Sequence, residues 1–582
     1  MAPLFTRTRR RKALWLVAVP LAMWMGATDA HLRAQQGNLV AQPMASRSGI
    51  ELNSLDRSVN PCDDFYQFAC GGWTAAHPAP PDQPRYGRFE DLQNRNNEIL
   101  HDILDEAAKP SSASNPDLKK IGDYYASCMD ETTLDAKGLQ PLEPDLQRIA
   151  GMRDKNDLAA VIGKMHTEGE PVFFFFTAQP DFKDASQYIP IYVPAGMGLP
   201  DRDYYLKDDP NTARVRQAYE QHVTKMLQLS GDAPQKAQAE AGSILRVETA
   251  LAKASLDRVS QRNPSNIYHK MTRDEIRRLM PAFNLSTYLE NAEAPPGDAA
   301  NVTEPEYLKA VNEVLATTPL DELKTYMRWT AIHSNATVLP TKFQDETFAF
   351  YGGVLTGAKA DRPRWKKCVD AVDSDLGEAL GKVYVERTFG PEGKERTLKM
   401  VEAIEASRGR DIQAITWMSD VTKKQAQIQL SEVTNKIGYP DRWRDYSALR
   451  IVRGDALGNS QRANTFEYRR QLAKIGKPVD TSEWGMTPPT VNAYYNPLEN
   501  NINFPAGILQ PPFYIKAAGD AVNFGAAAAV VGHELTHGFD DEGRRFDGKG
   551  NLRDWWTPAD GKAFDERATC VADQYSGYTA VD

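Results

Sequence analysis

The chain has 582 residues, of which 41% are hydrophobic and 25% are charged, so it holds enough apolar material for more than one buried core. This composition excludes a disordered or fibrous protein. The formal net charge of −9 argues against nucleic acid as a partner, because an acidic surface repels phosphate groups.

Residues 1–34 have the organisation of a secretory signal peptide. Basic residues between positions 7 and 12 precede an apolar run from 13 to 27, and Ala30 and Ala34 offer small-residue cleavage sites. The run is short for a membrane span; the alternative is an uncleaved signal anchor, and only in that case does the protein contact a membrane. We therefore predict export to the periplasm or the cell exterior, with a flexible leader at 35–60.

The first predicted helix of the mature chain follows this leader. Phe65, Phe68 and Ala69 recur at positions i, i+3 and i+4, which is the spacing of one helix face. Two glycines, Gly71 and Gly72, are typical of a helix end. The pattern predicts a short amphipathic helix that buries its aromatic side chains.

Helical periodicity dominates the middle of the chain, from about residue 117 to 400. A Pro- and Ser-rich stretch at 109–116 precedes it and predicts a loop and a domain boundary. Two short apolar runs, 171–177 and 188–193, interrupt the helical pattern and are typical of strands. We predict that these two strands pair with each other.

A second predicted pair of strands lies near the C-terminal end, at 490–495 and 502–504. Pro505 follows the second strand and indicates a sheet edge. An edge strand can bind an extended peptide through backbone hydrogen bonds. Asn492, whose amide both donates and accepts, would fix the register of that peptide, and Ala493 leaves room for it. The alternative is an ordinary hairpin.

An Ala-rich stretch at 524–529 leads into a predicted buried helix with the strongest functional signal. His533 and His537 are four residues apart, so both imidazoles lie on one helix face and can reach one ion. This His-Glu-x-x-His spacing predicts one Zn²⁺ per chain, with Glu534 as the general base. The alternative is that these residues share a helix face by chance, which is rare in a chain with only nine histidines.

The cysteines are odd in number, which in an exported protein indicates a free thiol, an intermolecular bridge or missing partners. No two of them form a Cys-x-x-Cys pair, which argues against a structural zinc site. The five positions are Cys62, Cys70, Cys128, Cys368 and Cys570.

Together, several stretches resemble the neprilysin family of zinc metallopeptidases, which includes the endothelin-converting enzymes and secreted bacterial oligopeptidases. The matching segments extend along the whole mature chain and are highly specific in combination. They are residues 62–73, 85–87, 198–205, 363–368, 492–495 and 504–512. The last is the helix that carries His533 and His537, called the zinc helix below, with its continuation to Trp556.

The resemblance implies a mainly α fold with two domains around a central cavity. A thermolysin-like zincin catalytic domain with a small β-sheet would combine residues 61–108 and 401–582. A helical lid domain would comprise 109–400 and admit only short peptides as substrates. These boundaries are expectations from the resemblance.

The resemblance also assigns roles to individual residues. It gives the zinc helix the roles described above, and gives Asn492 and Ala493 the binding of the substrate backbone. Arg85 matches an arginine that contacts the carboxyl end of the substrate, with a domain-packing salt bridge as the alternative. Cys128 and Cys368 would form a disulfide bond with each other.

One expected feature of the family is absent from this sequence. The family's third zinc ligand is a glutamate in a Glu-x-x-x-Asp motif, several tens of residues after the zinc helix. After His537 the only glutamates are Glu542 and Glu566, and neither has an acid four residues later. With three cysteines also lacking partners, we expect a chain truncated at its C-terminal end and inactive as a peptidase. The alternative is a natural, non-catalytic peptide-binding ectodomain.

Overall fold

The computed structural model describes residues 51–110 and 115–579. The predicted signal segment and the first part of the predicted leader lie outside these residues. Within the described ranges, no helix is both long enough and apolar enough to cross a membrane.

Helix α1 (Phe65–Ala76) differs from its prediction in two respects. It continues through its two glycines, which allow the helix to approach the preceding turn: a Cβ on Gly72 would lie 2.4 Å from the carbonyl oxygen of Asn53. The prediction of buried aromatics holds for Trp73, which is 8% exposed, but it is wrong for Phe65 and Tyr66, which are 69% and 72% exposed. The helix packs on the preceding turn through its other face.

Helices build most of the chain up to residue 356, as the periodicity predicts. After α2 (Arg88–Ala107), they are α3 (Pro116–Met129), α4 (Glu131–Lys137), α5 (Glu143–Ala150), α6 (Leu158–Thr167), α7 (Asp203–Leu206), α8 (Pro210–Leu229), α9 (Pro234–Ala254), α10 (Arg258–Gln261), α11 (Arg273–Leu279), α12 (Leu285–Asn291), α13 (Pro305–Thr317), α14 (Leu320–Ser334), α15 (Thr341–Thr347) and a π-helix at Phe348–Thr356. Buried side chains from residues 142 to 350, together with Leu457, Tyr468 and Leu472, form one large core, which includes Trp329, Tyr219 and Tyr288.

A four-stranded sheet packs against this core, and its first two strands confirm the predicted pair. Strand β1 (Phe174–Asp181) runs antiparallel to β2 (Asp184–Pro194), with Phe176 opposite Tyr192. Two short strands, β3 (Lys270–Thr272) and β4 (Ala299–Val302), complete the order β1-β2-β4-β3.

Longer helices and a second sheet form the C-terminal part of the structure. They are α16 (Arg364–Thr388), α17 (Gly390–Ala414), α18 (Asp420–Ser431), β5 (Thr434–Gly438), α19 (Ala456–Leu472), β6 (Tyr494–Asn496), β7 (Asn501–Pro505), α20 (Asp520–Gly525), α21 (Ala527–His537) and α22 (Pro558–Ser576). Helices α2, α3, α16 and α19 share a second core, and α17, the sheet and α21 share a third. The predicted mainly α class with a small β-sheet is confirmed, whereas the domain boundaries at 109 and 401 stay predictions.

The second sheet has the order β5-β7-β6, which corrects the expected position of its edge. Strand β7, which carries Pro505, is the central strand and not the edge. The proline is tolerated because it is the last residue of the strand, where the next amide, of Ala506, donates to Gly438 O at 2.8 Å. The edge strands are β5 and β6, and β6 begins at Tyr494 instead of residue 490.

A disulfide bond joins Cys128 of α3 to Cys368 of α16, as the resemblance implies. Both residues are buried and 240 positions apart in sequence. A cross-link that closes a loop of this length restricts the unfolded chain strongly. We expect Cys128→Ala combined with Cys368→Ala to lower the free energy of unfolding by about 2–5 kcal/mol, measured by denaturant unfolding.

Cys62 provides the control for this prediction, because it is an exposed, free thiol in the described structure. Cys62→Ala leaves the unfolding midpoint unchanged if the disulfide, and not a general loss of thiols, stabilises the fold. An unchanged midpoint in the double variant would contradict the prediction.

Candidate active site

The zinc helix predicted from sequence is formed, but it is shorter than the Ala-rich stretch suggests. The chain leaves helical geometry at Ala526 (φ −110°, ψ −80°), which separates α20 from α21. Helix α21 buries Val531 and Leu535 in the third core. Because these residues occupy one face, the histidines two positions further along point away from the core.

The two histidines lie in a geometry that suits one tetrahedral metal ion. The Nε2 atoms of His533 and His537 are 3.1 Å apart. Zn–N bonds of 2.0–2.1 Å at a tetrahedral angle place two nitrogens about 3.3 Å apart. The ring planes are nearly perpendicular, at 88°, so both nitrogens face one point without the rings clashing. The residues therefore fit Zn²⁺.

Asp540, which the sequence analysis did not single out, orients His537. Its Oδ2 atom lies 2.7 Å from the Nδ1 atom of His537. Its Oδ1 atom accepts hydrogen bonds from the backbone N–H groups of Glu542 and Gly543, at 3.0 and 2.8 Å. A carboxylate on Nδ1 keeps the proton there and leaves Nε2 free to bind a metal. An acid three residues after the second histidine was the available sequence signal.

We expect Asp540→Asn to weaken zinc binding by about 10–100-fold, since an amide orients the imidazole less well than a carboxylate does. Competition against a zinc-binding dye measures this affinity. Asp541→Asn is the matched control, because Asp541 points to Arg262 instead of a histidine, with 3.0 Å between their nearest atoms. Equal losses in the two variants would contradict a specific role for Asp540.

Glu534 lies between the two histidines in sequence and is buried, with 5% of its surface exposed. Burial raises the pKa of its carboxyl group, and the nearby His533 and His537 and the backbone of Tyr495 offset part of that rise. A carboxyl group with a raised pKa is better suited to accept and return a proton near neutral pH.

A cleft of about 310 Å³ brings most of the predicted site residues together. Asn492 and Ala493, just before the edge strand β6, line it together with the zinc helix. Arg85 is not among the lining residues. Its side chain is 86% exposed and forms a 2.8 Å ion pair with Glu90, and both of its predicted roles stay predictions.

In the described part of the chain, no third His, Cys, Asp or Glu joins the two histidines in a metal-binding group. The cleft nevertheless combines a His-Glu-x-x-His helix, a buried glutamate and a neighbouring edge strand. This combination is typical of zinc metallopeptidases.

Comparison with known proteins agrees with that class. Two models described as peptidase family M13 match residues 61–440 and 492–582. The chain therefore belongs to peptidase family M13, as the resemblance to the neprilysin family predicts. It is 33% identical to human endothelin-converting enzyme 1, over 98% of this chain and 77% of that protein.

Solved structures show the same fold. The zinc metalloprotease Zmp1 of Mycobacterium tuberculosis, in complex with an inhibitor, is 37% identical and superposes with a TM-score of 0.87, over 91% of this chain and 81% of that chain. PepO of Lactobacillus rhamnosis is 25% identical, with a TM-score of 0.80 over 90% of this chain and 82% of that chain.

Proposed function

We propose that this protein is a zinc-dependent endopeptidase that hydrolyses short peptides. The observation that carries the proposal is the pairing of the two Nε2 atoms of His533 and His537, 3.1 Å apart, beside the buried Glu534. Membership of peptidase family M13 supports it.

In this proposal His533 and His537 hold one Zn²⁺, and Asp540 keeps His537 in the metal-binding tautomer. When bound, zinc polarises the substrate carbonyl and lowers the pKa of water. Glu534 then accepts a proton from the attacking water and returns it to the leaving amine. Its burial excludes bulk water from this proton transfer.

The peptide would bind along the edge strand β6. One edge of this strand is unpaired in the described sheet, so its backbone can bind an extended chain. The Asn492 side chain is exposed at the start of this edge and can hold a peptide group by donating and accepting one hydrogen bond each. Ala493 is buried and small, which lets the substrate approach closely.

Catalytic zinc sites commonly use three protein ligands, and the described residues supply two. We therefore propose that the 582-residue chain by itself binds zinc weakly and is inactive as a peptidase.

The test is hydrolysis of internally quenched peptides by protein purified from its source. We expect cleavage at an internal bond, loss of cleavage with a chelator, and recovery when zinc is added back. Cleavage that survives complete removal of zinc, or binding without cleavage in the zinc-loaded protein, would contradict the proposal.

We also propose that the protein is exported. The basic and apolar segment at residues 1–34 supports this, and so does the disulfide between Cys128 and Cys368, since such bonds persist in oxidising compartments.

A further inference from the structure

The short segment after the zinc helix carries the residue that orients His537. Asp540 contacts His537 through its side chain, and its backbone carbonyl oxygen accepts a hydrogen bond from the N–H of Arg544 at 3.1 Å. A single 3-10 turn, Gly543–Arg545, follows, and the next residue, Phe546, is buried with 2% of its surface exposed. Whatever holds Phe546 in place therefore also holds the end of the turn that begins at Asp540.

Phe546 packs in a small cluster of its own, which in the described structure is separate from the third core that holds the zinc helix. Its buried partners in this cluster are Leu552 and Phe182. Phe182 is 5% exposed, and its ring meets that of Phe546 edge to face, with 5.6 Å between the ring centroids. Part of the cover of the turn therefore comes from a distant part of the chain.

Phe182 lies at the tip of the hairpin that β1 and β2 form. Three hydrogen bonds attach this tip to the segment after the zinc helix. The carbonyl oxygen of Phe182 accepts one from the N–H of Leu552 at 2.5 Å, and the carbonyl oxygen of Leu552 accepts one from Lys183 at 2.9 Å. The N–H of Ala185 donates the third to Asn551 Oδ1 at 3.0 Å. Because backbone groups of both segments take part, the contact fixes one register of the tip on its partner.

The hairpin tip is also held from its other side. Asp181, which is 2% exposed, accepts a hydrogen bond from the Tyr268 hydroxyl at 2.6 Å and forms an ion pair with Lys270 at 2.5 Å. The ring of Tyr268 stacks on that of Phe182, with 5.3 Å between the centroids and 11° between the planes. The tip therefore presents the ring of Phe182 to Phe546 in one position.

We infer that Phe182 is a positioning residue for the zinc site. By packing on Phe546, the hairpin tip holds the turn in which Asp540 meets His537, and it thereby raises the affinity of the paired histidines for zinc. This inference rests on the proposed function, because it concerns the same metal site, and it couples that site to the four-stranded sheet. Thermodynamic linkage makes the coupling reciprocal, so bound zinc stabilises the contact of the tip in turn.

The test compares the zinc affinities of variants of the 582-residue chain, by competition with a zinc-binding dye. Phe182→Ala removes the ring that packs on Phe546. We expect this variant to raise the Kd for zinc about tenfold, which is the lower end of the range for loss of an orienting partner. Phe182→Leu keeps a large apolar side chain at the tip and should restore most of the affinity.

Arg262→Gln is the matched control, because Arg262 contacts the same segment from its exposed side. Arg262 and Asp541 are 3.0 Å apart, but their side chains are 52% and 56% exposed, so this ion pair contributes little. The control should keep the zinc affinity of the unchanged chain. Equal losses in Phe182→Ala and Arg262→Gln, or an unchanged Kd in Phe182→Ala, would overturn the inference.

A double variant shows whether Phe182 acts through Asp540. In Asp540→Asn the orienting carboxylate is already lost, so adding Phe182→Ala should weaken zinc binding by less than about twofold more. Two losses that multiply would show a general effect on the fold and would overturn the inference. If Phe182→Ala lacks the helical circular dichroism of the unchanged chain, Asn551→Ala replaces it in both backgrounds, because it releases the tip at Ala185 without opening the apolar cluster. The same pattern of losses is expected of it, and an unchanged Kd counts against the inference.

Hydrogen exchange provides the reciprocal measurement, on the amide of Leu552 that donates to Phe182 across the contact. Saturating zinc should slow the exchange of this amide by up to about tenfold in the unchanged chain and leave it unaltered in Asp540→Asn. Exchange that does not respond to zinc in the unchanged chain would overturn the coupling. An unchanged chain that binds no zinc would instead contradict the proposed function, and the inference would fall with it.

Discussion

Substitution of His533 by alanine is expected to lower the zinc affinity of the 582-residue chain by at least about 100-fold. The two Nε2 atoms, 3.1 Å apart, chelate one ion, whereas a single imidazole binds zinc no better than many surface histidines do. Loss of the hydrogen-bond partner of a metal ligand lowers the metal affinity by about 10–100-fold, and loss of the ligand itself lowers it by at least as much. Competition with a zinc-binding dye provides the measurement.

His77 offers the control for this variant. It is exposed and its Nδ1 atom lies 2.8 Å from the carbonyl oxygen of Trp73, far from the zinc helix in sequence. His77→Ala should therefore retain the zinc affinity of the unchanged chain. If His533→Ala binds zinc as well as His77→Ala does, the paired imidazoles are not the metal site.

The zinc helix was predictable because its information is local. Two histidines four residues apart on a helix must share a face, whatever the rest of the chain does. The pairing of β1 with β2 was predictable for a similar reason, since the two apolar runs are close in sequence and a short turn connects them. The exact helix start at Ala527 was not, because alanine favours helix on both sides of the break.

Long-range pairing was the main feature that the sequence did not reveal. Strand β5 pairs in parallel with β7 across more than 60 residues, with Ile437 opposite Phe504. This pairing makes β7 central and leaves β5 and β6 at the two edges. Pro505 indicated an edge because proline lacks an amide proton, but a proline at the last position of a central strand loses no ladder hydrogen bond.

Hydrophobic periodicity also did not predict which aromatic side chains are exposed. The spacing of Phe65 and Phe68 correctly indicates one helix face, but spacing does not show what covers that face.

The contact of Asp540 with His537 was not predicted from the sequence. Its role depends on the turn after α21, where Gly543 lets the chain fold back so closely that a Cβ would lie 1.7 Å from the carbonyl oxygen of His537.

Replacement of Glu534 by glutamine is expected to lower kcat by about 10²–10⁴-fold in protein purified from its source, while zinc content stays unchanged. Glutamine has nearly the same shape but cannot accept the proton of the attacking water. Because Glu534 does not hold the metal in the proposed site, the loss should appear in the chemical step and leave peptide affinity nearly intact. Initial rates with a quenched peptide, together with metal analysis of the same samples, separate these quantities.

Glu542 makes the sharpest comparison, because it lines the same cleft and burial likewise raises the pKa of its carboxyl group. Its side chain is 41% exposed and lies 3.8 Å from Arg262, and an exposed ion pair of this kind contributes at most about 1 kcal/mol. Glu542→Gln should therefore reduce the rate less than about fivefold. If Glu542→Gln lowers kcat as much as Glu534→Gln does, the result shows only that the cleft needs a carboxylate. It would contradict the assignment of Glu534 as the general base.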